Sequence, residues 1–423
     1  MIMKTDGVLA VEGPVVQATG ADPDRLVQRR IDIDVRSGLI RSVGDPTGDA
    51  NLVLGPDYVI LPGIIDVHVH AREDPSGQDC YKETFETAGA AAIHGGVTAF
   101  VEMPNNPLAP IDDRAYGAKR ELTRKAQIDV LLFAGVGPGT EPLSFPVPYK
   151  VYMGPSVGEL FFESDESLRE ALARYRGHRV AFHAEAPEIL DACKDAPTHH
   201  ERRPPHAEVL AIERVIESCN SFQVEPHICH LTTAAGLDVI RKARSRGIQV
   251  SCEVTPHHLF YDEDNVANFH TPSFLQVNPP IRTRLDRLAL LEALKAGEIE
   301  YLATDHAPHT LEENETGISG MPQLDTYGPF LFWLSAEGVT WGRILEMCCE
   351  RPGQFLNRYL PDLYGRLAEG FVGSLTVLKK QPATIRRESV RSTAGWSLFE
   401  GVRFDGRVSH TIVRGVVHSA ADS

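Results

Sequence analysis

Short apolar segments with strand character alternate with helical segments from about residue 58 to residue 365. Counted generously, eight strand-like segments are present, at residues 59–61, 97–101, 130–133, 149–152, 180–183, 225–230, 249–254 and 301–305. This alternation is typical of parallel βα units, and about 300 residues with eight units fit a (β/α)8 barrel, an α/β fold. An open doubly wound sheet is the alternative, but no Gly-x-Gly-x-x-Gly turn indicates a dinucleotide site.

Both ends of the chain have β character instead. Residues 7–11 and 31–35 near the start, and residues 374–378 and 411–417 near the end, have the composition of strands. We therefore expect residues 1–57 and 366–423 to form one small β-sandwich domain. It would flank a barrel made of residues 58–365.

The composition is that of a globular protein, with 42% hydrophobic and 24% charged residues. A net charge of -16 argues against a nucleic-acid partner, although a local Arg can still hold a small anionic substrate. No apolar run approaches the ~20 residues that span a bilayer, and no signal-type N-terminus is present, so we expect no membrane partner. Seven scattered cysteines indicate reduced thiols in a cytoplasmic protein. A homo-oligomer, such as a homodimer, is the expected assembly.

The pair His68 and His70 follows the apolar residues 64–66. Side chains at positions i and i+2 of a strand point the same way, so both imidazoles can reach one metal ion. Alone, such a pair is also compatible with a surface strand.

Four more polar residues lie at or near the ends of predicted strands: His183, His230, Asp305 and Lys150. In a barrel, active sites form at the C-terminal strand ends. A lysine inside an apolar strand is costly to bury as a cation. Lys150 therefore either extends its amine to the strand end or, as a neutral amine, reacts with carbon dioxide to give a carbamate that can bridge two metal ions.

These nitrogen and oxygen donors suit zinc or another borderline divalent metal. Two such ions can share a hydroxide and lower its pKa, while one of them polarises a carbonyl group. Asp305 would then act as general base and acid, carrying a proton from the hydroxide to a leaving nitrogen. The pattern predicts hydrolysis of an amide.

Two motifs carry a family resemblance. Residues 61–73, with His68 and His70, resemble the opening motif of the cyclic amidohydrolases, and residues 303–309 resemble their late motif. That family includes dihydroorotases, hydantoinases or dihydropyrimidinases, and allantoinases, and the similarity covers nearly the whole chain. It implies a barrel, two divalent ions identified as Zn²⁺, a carboxylated Lys150, and six metal ligands: His68, His70, Lys150, His183, His230 and Asp305.

Arg72, Asn105 and His309 form a candidate carboxylate clamp. An Arg fork holds a carboxylate through two charge-assisted hydrogen bonds. This trio resembles the dihydroorotase pattern, in which the same residue types hold the carboxylate of the substrate. Residues 277–282 also resemble a dihydroorotase segment whose Asn, here Asn278, approaches the pyrimidine ring. The alternative for Arg72 is a surface salt bridge with an acidic neighbour.

The resemblance implies reversible hydrolysis of dihydroorotate to N-carbamoyl-aspartate, in pyrimidine biosynthesis. Residues 72–80 and 320–326 depart from the usual pattern at places where a loop can touch substrate. Another cyclic amide hydrolase, of the hydantoinase, dihydropyrimidinase or allantoinase type, is therefore one alternative. An inactive homologue that serves as an assembly partner is the other, and the complete ligand set argues against it.

Overall fold

The computed structural model describes residues 7–17, 20–154, 160–162, 164–269 and 271–419. The N-terminal part contains five strands, β1 (Val8–Val16), β2 (Leu26–Asp34), β3 (Leu39–Gly44), β4 (Leu52–Val53) and β5 (Tyr58–Pro62). β1 pairs antiparallel with β2, and β2 with β3. Their alternating residues face an apolar core that includes Val11, Ile31 and Ile33. β1 is buried almost throughout, whereas the second half of β2 alternates between buried and partly exposed residues, which is typical of a sheet packed on one face.

The barrel strands follow in chain order: β6 (Ile64–Val69), β7 (Val97–Glu102), β8 (Asp129–Leu132), β9 (Ala134–Val136), β10 (Tyr149–Tyr152), β11 (Arg179–His183), β12 (Glu225–Ile228), β13 (Ser251–Val254) and β14 (Tyr301–Leu302). β8 and β9 are two halves of one strand, because β8 pairs with β7 while β9 pairs with β10. All neighbours are parallel. A parallel bridge between Val69 and His306 joins the last strand to the first and closes the barrel.

Helices surround this barrel. Those of the described residues are α1 (Phe85–His94), α2 (Asp113–Leu122), α3 (Asp165–Leu172), α4 (Pro187–Cys193), α5 (His199–Arg202), α6 (Pro205–Phe222), α7 (Ala234–Ser245), α8 (Pro256–Phe260), α9 (Glu263–Asn268), α10 (Arg284–Lys295), α11 (Leu311–Glu315), α12 (Tyr327–Ala336), α13 (Trp341–Leu345) and α14 (Arg351–Leu356). A π-helical turn, Glu346–Glu350, joins α13 to α14. Among the described residues, no helix combines the length and apolar character needed to cross a bilayer.

The C-terminal strands are β15 (Leu375–Lys379), β16 (Ala383–Thr384), β17 (Arg403–Phe404), β18 (Arg407–Val413) and β19 (Val416–Ser419). β15 pairs with β5 and with β18, so both chain ends share one sheet in the order β19-β18-β15-β5-β1-β2-β3. The predicted fold class, a (β/α)8 barrel flanked by a β unit from both chain ends, is confirmed.

Two strand predictions are wrong in detail. Residues 59–61 do not start the barrel, because they lie in β5 and pair with β15 in the chain-end sheet. The predicted boundary at residue 57 therefore falls before a strand of that sheet. Residues 411–417 are not one strand but a hairpin that turns at Arg414 and Gly415. Apolar periodicity reports burial, and it does not tell which sheet buries a short strand.

The first barrel helix shows how the outer layer is fixed. α1 begins after Thr84, whose hydroxyl accepts a hydrogen bond from the Thr87 amide at 3.2 Å. It ends at Gly95, which packs directly against the turn Leu324–Thr326 that follows the last strand. A Cβ on Gly95 would lie 1.8 Å from the carbonyl oxygen of Leu324. Only glycine lets this helix approach that turn.

We predict that Gly95→Ala lowers the free energy of unfolding by about 3 kcal/mol, because the backbone of the turn must move. Gly117→Ala is the matched control: it lies inside α2, and nothing stands within 4 Å of its Cβ position. It should raise stability by about 0.5–1 kcal/mol. Denaturant unfolding of both variants measures the difference, and equal stabilities would contradict this packing.

Candidate metal centre and substrate cavity

A cavity of about 320 Å³ opens at the C-terminal ends of the barrel strands. Its lining includes every residue predicted from the sequence to bind metal or substrate. These are His68, His70, Arg72, Asn105, Lys150, His183, His230, Asn278, Asp305 and His309. The structure therefore brings together ten residues that lie between positions 68 and 309 of the chain.

The tightest group is formed by His68, His70 and Asp305. The Nε2 atoms of both histidines lie 3.1 Å from the same Asp305 oxygen, Oδ1. The i and i+2 positions at the end of β6 aim both rings at the end of β14, as the strand pattern predicts. One ligand atom from each residue lies within 4.8 Å of the others, which is close enough for a shared metal ion.

His183, His230 and Lys150 are the other three residues predicted to bind metal, and they lie beside this group. The ring of His230 lies 4.7 Å from that of His183 and 5.4 Å from that of His68, measured between centroids. The fully buried amine of Lys150 contacts the Cys229 sulfur at 2.8 Å. His183 donates to Glu185, at 2.8 Å from Nε2, and Glu185 pairs with Arg203.

The protonation states suit a cation. Burial lowers the pKa of His70 to about 3 and that of His230 well below its usual value, so both imidazoles are neutral and free to coordinate. Burial opposes ionisation of Asp305, yet the imidazoles of His68 and His70 hold its pKa well below the usual range. Among the described residues, no hydrogen-bond partner reaches the buried Nδ1 atom of His230. His68 differs from the other imidazoles: although burial opposes its protonation, the Asp305 and Glu253 carboxylates raise its pKa to about 10, so it carries a positive charge that a divalent cation would replace. The neutral rings of His70 and His230 and the ionised Asp305 carboxylate are donors that suit divalent metal ions.

The clamp residues meet on one wall of the cavity. Arg72 donates from Nη2 to His309 Nε2 at 3.1 Å and from Nε to the Pro308 carbonyl at 3.3 Å. His309 in turn donates from Nδ1 to Glu313 at 3.1 Å. Burial and the Arg72 charge lower the pKa of His309 to about 3, so its ring is neutral. Asn105 accepts from His70 Nδ1 at 2.8 Å, so it orients a predicted metal ligand while it faces the cavity.

Local turns of the backbone place Arg72 and His309 on this wall of the cavity. Arg72 does not continue the extended path of β6, because its φ is 63°. His309 does not lie on a helical turn after Asp305, since residues 306–310 are not helical. The alternative of a surface salt bridge does not describe Arg72, because its side chain is buried and Glu73, one of its acidic neighbours, pairs with Lys125.

Three cavity residues adopt left-handed backbone conformations that disfavour residues with a Cβ. They are Arg72, His230 and Asp305, with φ values of 63°, 33° and 48°. Such conformations cost about 1–3 kcal/mol each and concentrate at functional sites. Each occurs just after a barrel strand, where it turns the chain out of the strand.

Sequence reasoning missed Glu253. This buried carboxylate in β13 accepts hydrogen bonds from His68 Nδ1, from His227 Nε2 at 2.9 Å and from the His230 amide at 3.2 Å. Although burial opposes ionisation, these imidazoles hold the pKa of Glu253 well below its usual range. A carboxylate behind a metal-binding histidine fixes its tautomer and orientation. A Glu inside the apolar residues 250–254 was the available signal.

The amidohydrolase family model matches residues 59–142 and 150–417, and the chain belongs to the amidohydrolase family. The resemblance to the cyclic amidohydrolases is thereby confirmed at the level of family. Curated relatives include the dihydroorotase of Pyrococcus furiosus, 33% identical over 394 residues, with 91% of this chain and 88% of the relative covered. The dihydroorotase of Bacillus cereus is 30% identical over 408 residues, with coverages of 91% and 93%.

Solved structures with the same fold are more distant in sequence. The L-hydantoinase (dihydropyrimidinase) of Arthrobacter aurescens superposes with a TM-score of 0.87 at 24% identity, covering 98% of this chain and 96% of its own. The dihydropyrimidinase of Brevibacillus agri gives 0.81 at 21% identity, with coverages of 97% and 94%. At these identities the likeness establishes the fold alone.

We predict that Glu253→Gln weakens metal binding by about 10–100-fold, because an amide cannot accept equally from His68, His227 and the His230 amide. Glu225→Gln is the control: it removes a carboxylate at the opposite end of the neighbouring strand β12, where it pairs with Arg358. Metal content after dialysis against graded chelator measures the effect. Equal retention by both variants would show that Glu253 does not support the metal centre.

Proposed function

We propose that this chain is a dihydroorotase, which reversibly hydrolyses the cyclic amide of dihydroorotate to N-carbamoyl-aspartate. The observation that carries the proposal is a carboxylate clamp and a metal-ligand set on the walls of one cavity. The dihydroorotase names of relatives that match about nine-tenths of the chain support it. Metal ligands alone would fit any hydrolase of the family, and the clamp selects a ring that bears a carboxylate.

Arg72, His309 and Asn105 bind the substrate carboxylate. Arg72 supplies a permanent charge, and its contact with His309 holds both groups on the same wall. A buried salt bridge, Lys119 to Glu102 at 3.0 Å, supports this wall from behind. Glu102 also accepts from the Ala71 amide at 2.6 Å, directly before Arg72. The backbone that carries Arg72 is therefore held in place before substrate binds, which lowers the ordering cost of binding.

Two divalent ions, most simply zinc, complete the site, held by His68, His70, His183, His230, Asp305 and a carboxylated Lys150. When bound, they activate water as a nucleophile and polarise the carbonyl under attack.

Asp305 is the proton carrier in this proposal. Its Oδ1 atom stands between His68 and His70, and its low pKa keeps it ionised at neutral pH. It accepts the proton of the attacking water and delivers it to the ring nitrogen as the amide bond breaks. In the direction of ring closure the same carboxylate takes the proton from the ureido nitrogen.

We also predict that the protein is a cytoplasmic homo-oligomer, such as a homodimer.

Turnover of dihydroorotate, hydantoin, dihydrouracil and allantoin, measured side by side, tests the function. We expect hydrolysis of dihydroorotate to exceed the others, because only this ring offers a carboxylate to Arg72. Preference for an uncharged ring would replace the proposal with a hydantoinase, dihydropyrimidinase or allantoinase activity. No turnover by metal-loaded protein would favour an inactive assembly partner.

Arg72→Met should lower kcat/KM for dihydroorotate by about 100-fold or more, since charge-assisted hydrogen bonds contribute roughly 1.5–3 kcal/mol each. Metal content should not change, because Arg72 donates its hydrogen bonds to His309 and to the Pro308 carbonyl, and neither belongs to a proposed metal ligand. Arg124→Met, at an exposed position on the protein surface, is the control and should behave as wild type. Unchanged kinetics in Arg72→Met would remove the case for this substrate.

Metal analysis of protein prepared without chelators should find close to two divalent ions per chain. After growth or incubation with ¹³C-bicarbonate, a carbamate resonance should appear and should be missing in Lys150→Ala. That variant should also lose metal, because the bridging anion is gone. A metal-loaded wild type with an unmodified Lys150 amine would contradict the carbamate.

A further inference from the structure

Tyr152 lies in the cavity but has no part in the functions described above. It follows Lys150 by two positions in β10, so both side chains lie on the same face of the sheet. The side chain is almost fully buried, at 4% exposure, and it lines the cavity beside Lys150, His183 and Arg203. Its hydroxyl is buried and has no hydrogen-bond partner among the described residues.

The other buried tyrosine hydroxyls of the described chain have partners. Those of Tyr116, Tyr261 and Tyr327 donate to backbone carbonyls at 3.0, 2.8 and 2.6 Å. The hydroxyl of Tyr149, in the same strand, accepts from the Leu143 amide at 2.8 Å. Leaving a buried hydroxyl unpaired destabilises a protein, and proteins rarely do so without a functional reason.

The surroundings of Tyr152 indicate what completes its hydrogen bond. Its ring centroid lies 5.1 Å from the Lys150 amine and 6.2 Å from the centroid of His183. A tyrosine hydroxyl is protonated at neutral pH and can donate a hydrogen bond. Because Tyr152 lines the cavity, an acceptor inside the cavity can complete this hydrogen bond.

A cyclic ureide with a carboxylate presents two kinds of acceptor. Arg72 and His309 are assigned to the carboxylate, which leaves the ring carbonyl oxygens in need of donors. Asn278, whose Oδ1 is also buried without a partner among the described residues, offers an acceptor for a ring N–H. Tyr152 and Asn278 thus have the complementary polarity that a ureide requires.

We propose that the Tyr152 hydroxyl donates a hydrogen bond to a ring carbonyl oxygen of the bound cyclic ureide, and so contacts substrate directly. This inference rests on the proposed function, because the clamp is what places a carboxylated ureide in this cavity. It adds a specificity contact on the wall that carries Lys150 and His183.

Tyr152→Phe tests the proposal, with Tyr116→Phe as the matched control. The probe is orotate, an unreactive ureide that carries the same carboxylate and carbonyl groups, and its Kd is measured by calorimetry. We expect Tyr152→Phe to weaken orotate binding and to lower kcat/KM for dihydroorotate by about tenfold, because a substrate carbonyl is left unpaired. Tyr116→Phe should leave both values unchanged.

Stability separates this role from a structural one. Tyr152→Phe removes a hydroxyl without a partner, so the ligand-free Tm should stay equal or rise. Tyr116→Phe removes a hydrogen bond to the Leu132 carbonyl, so its Tm should fall.

Two results would overturn the inference alone: wild-type activity with unchanged orotate affinity in Tyr152→Phe, or loss of metal and of the Lys150 carbamate in that variant. The latter would assign the hydroxyl to the carbamate. A wild type that neither binds orotate nor hydrolyses dihydroorotate would overturn the proposed function and this inference together.

Discussion

The hydrogen bond from the His70 amide to the His306 carbonyl, at 2.8 Å, joins the first barrel strand to the last. Below it, the buried Asp66 carboxylate accepts from the Thr304 amide at 3.1 Å and from the Thr304 hydroxyl. A buried strand must pair on both edges, because unpaired backbone N–H and C=O groups are costly to bury. These bonds provide partners at the edge between the first and last barrel strands. The same closure sets His68 and His70 beside Asp305, although more than 230 residues separate them in sequence (305 − 70 = 235).

Closure also creates an electrostatic requirement. A carboxylate and several imidazoles stand together at the largely buried base of the cavity, where isolated charges are costly. Glu253 meets part of this cost, because its two oxygens accept from the rings of His68 and His227 and from the His230 amide. The ligand cluster is consequently held from below by hydrogen bonds, and it presents donor atoms upward into the cavity. Bound cations would complete the balance of charge.

In the proposed function, substrate selection depends on a different part of the molecule, the loops that follow the barrel strands β6 and β7. The buried pair of Lys119 and Glu102 ties these loops together: Lys119 also contacts the Met103 carbonyl at 3.2 Å, and Glu102 holds the Ala71 amide. Arg72 and Asn105 project from these loops. In the proposed function, a rigid barrel thus carries the chemistry common to the family, and loop residues at the strand ends determine which cyclic substrate binds.

The sequence by itself determined the fold class, the family and the kinds of donor at the site. These features can be read from short stretches of sequence. They are the alternation of strands and helices and the polar residues, such as His183 and Asp305, at the ends of apolar strands. Tertiary structure decided which strand starts the barrel, that Glu253 lies behind His68, and that the Tyr152 hydroxyl has no hydrogen-bond partner in the described part of the chain. These outcomes depend on contacts between distant segments, and a residue's neighbours across a sheet are not encoded in its own periodicity.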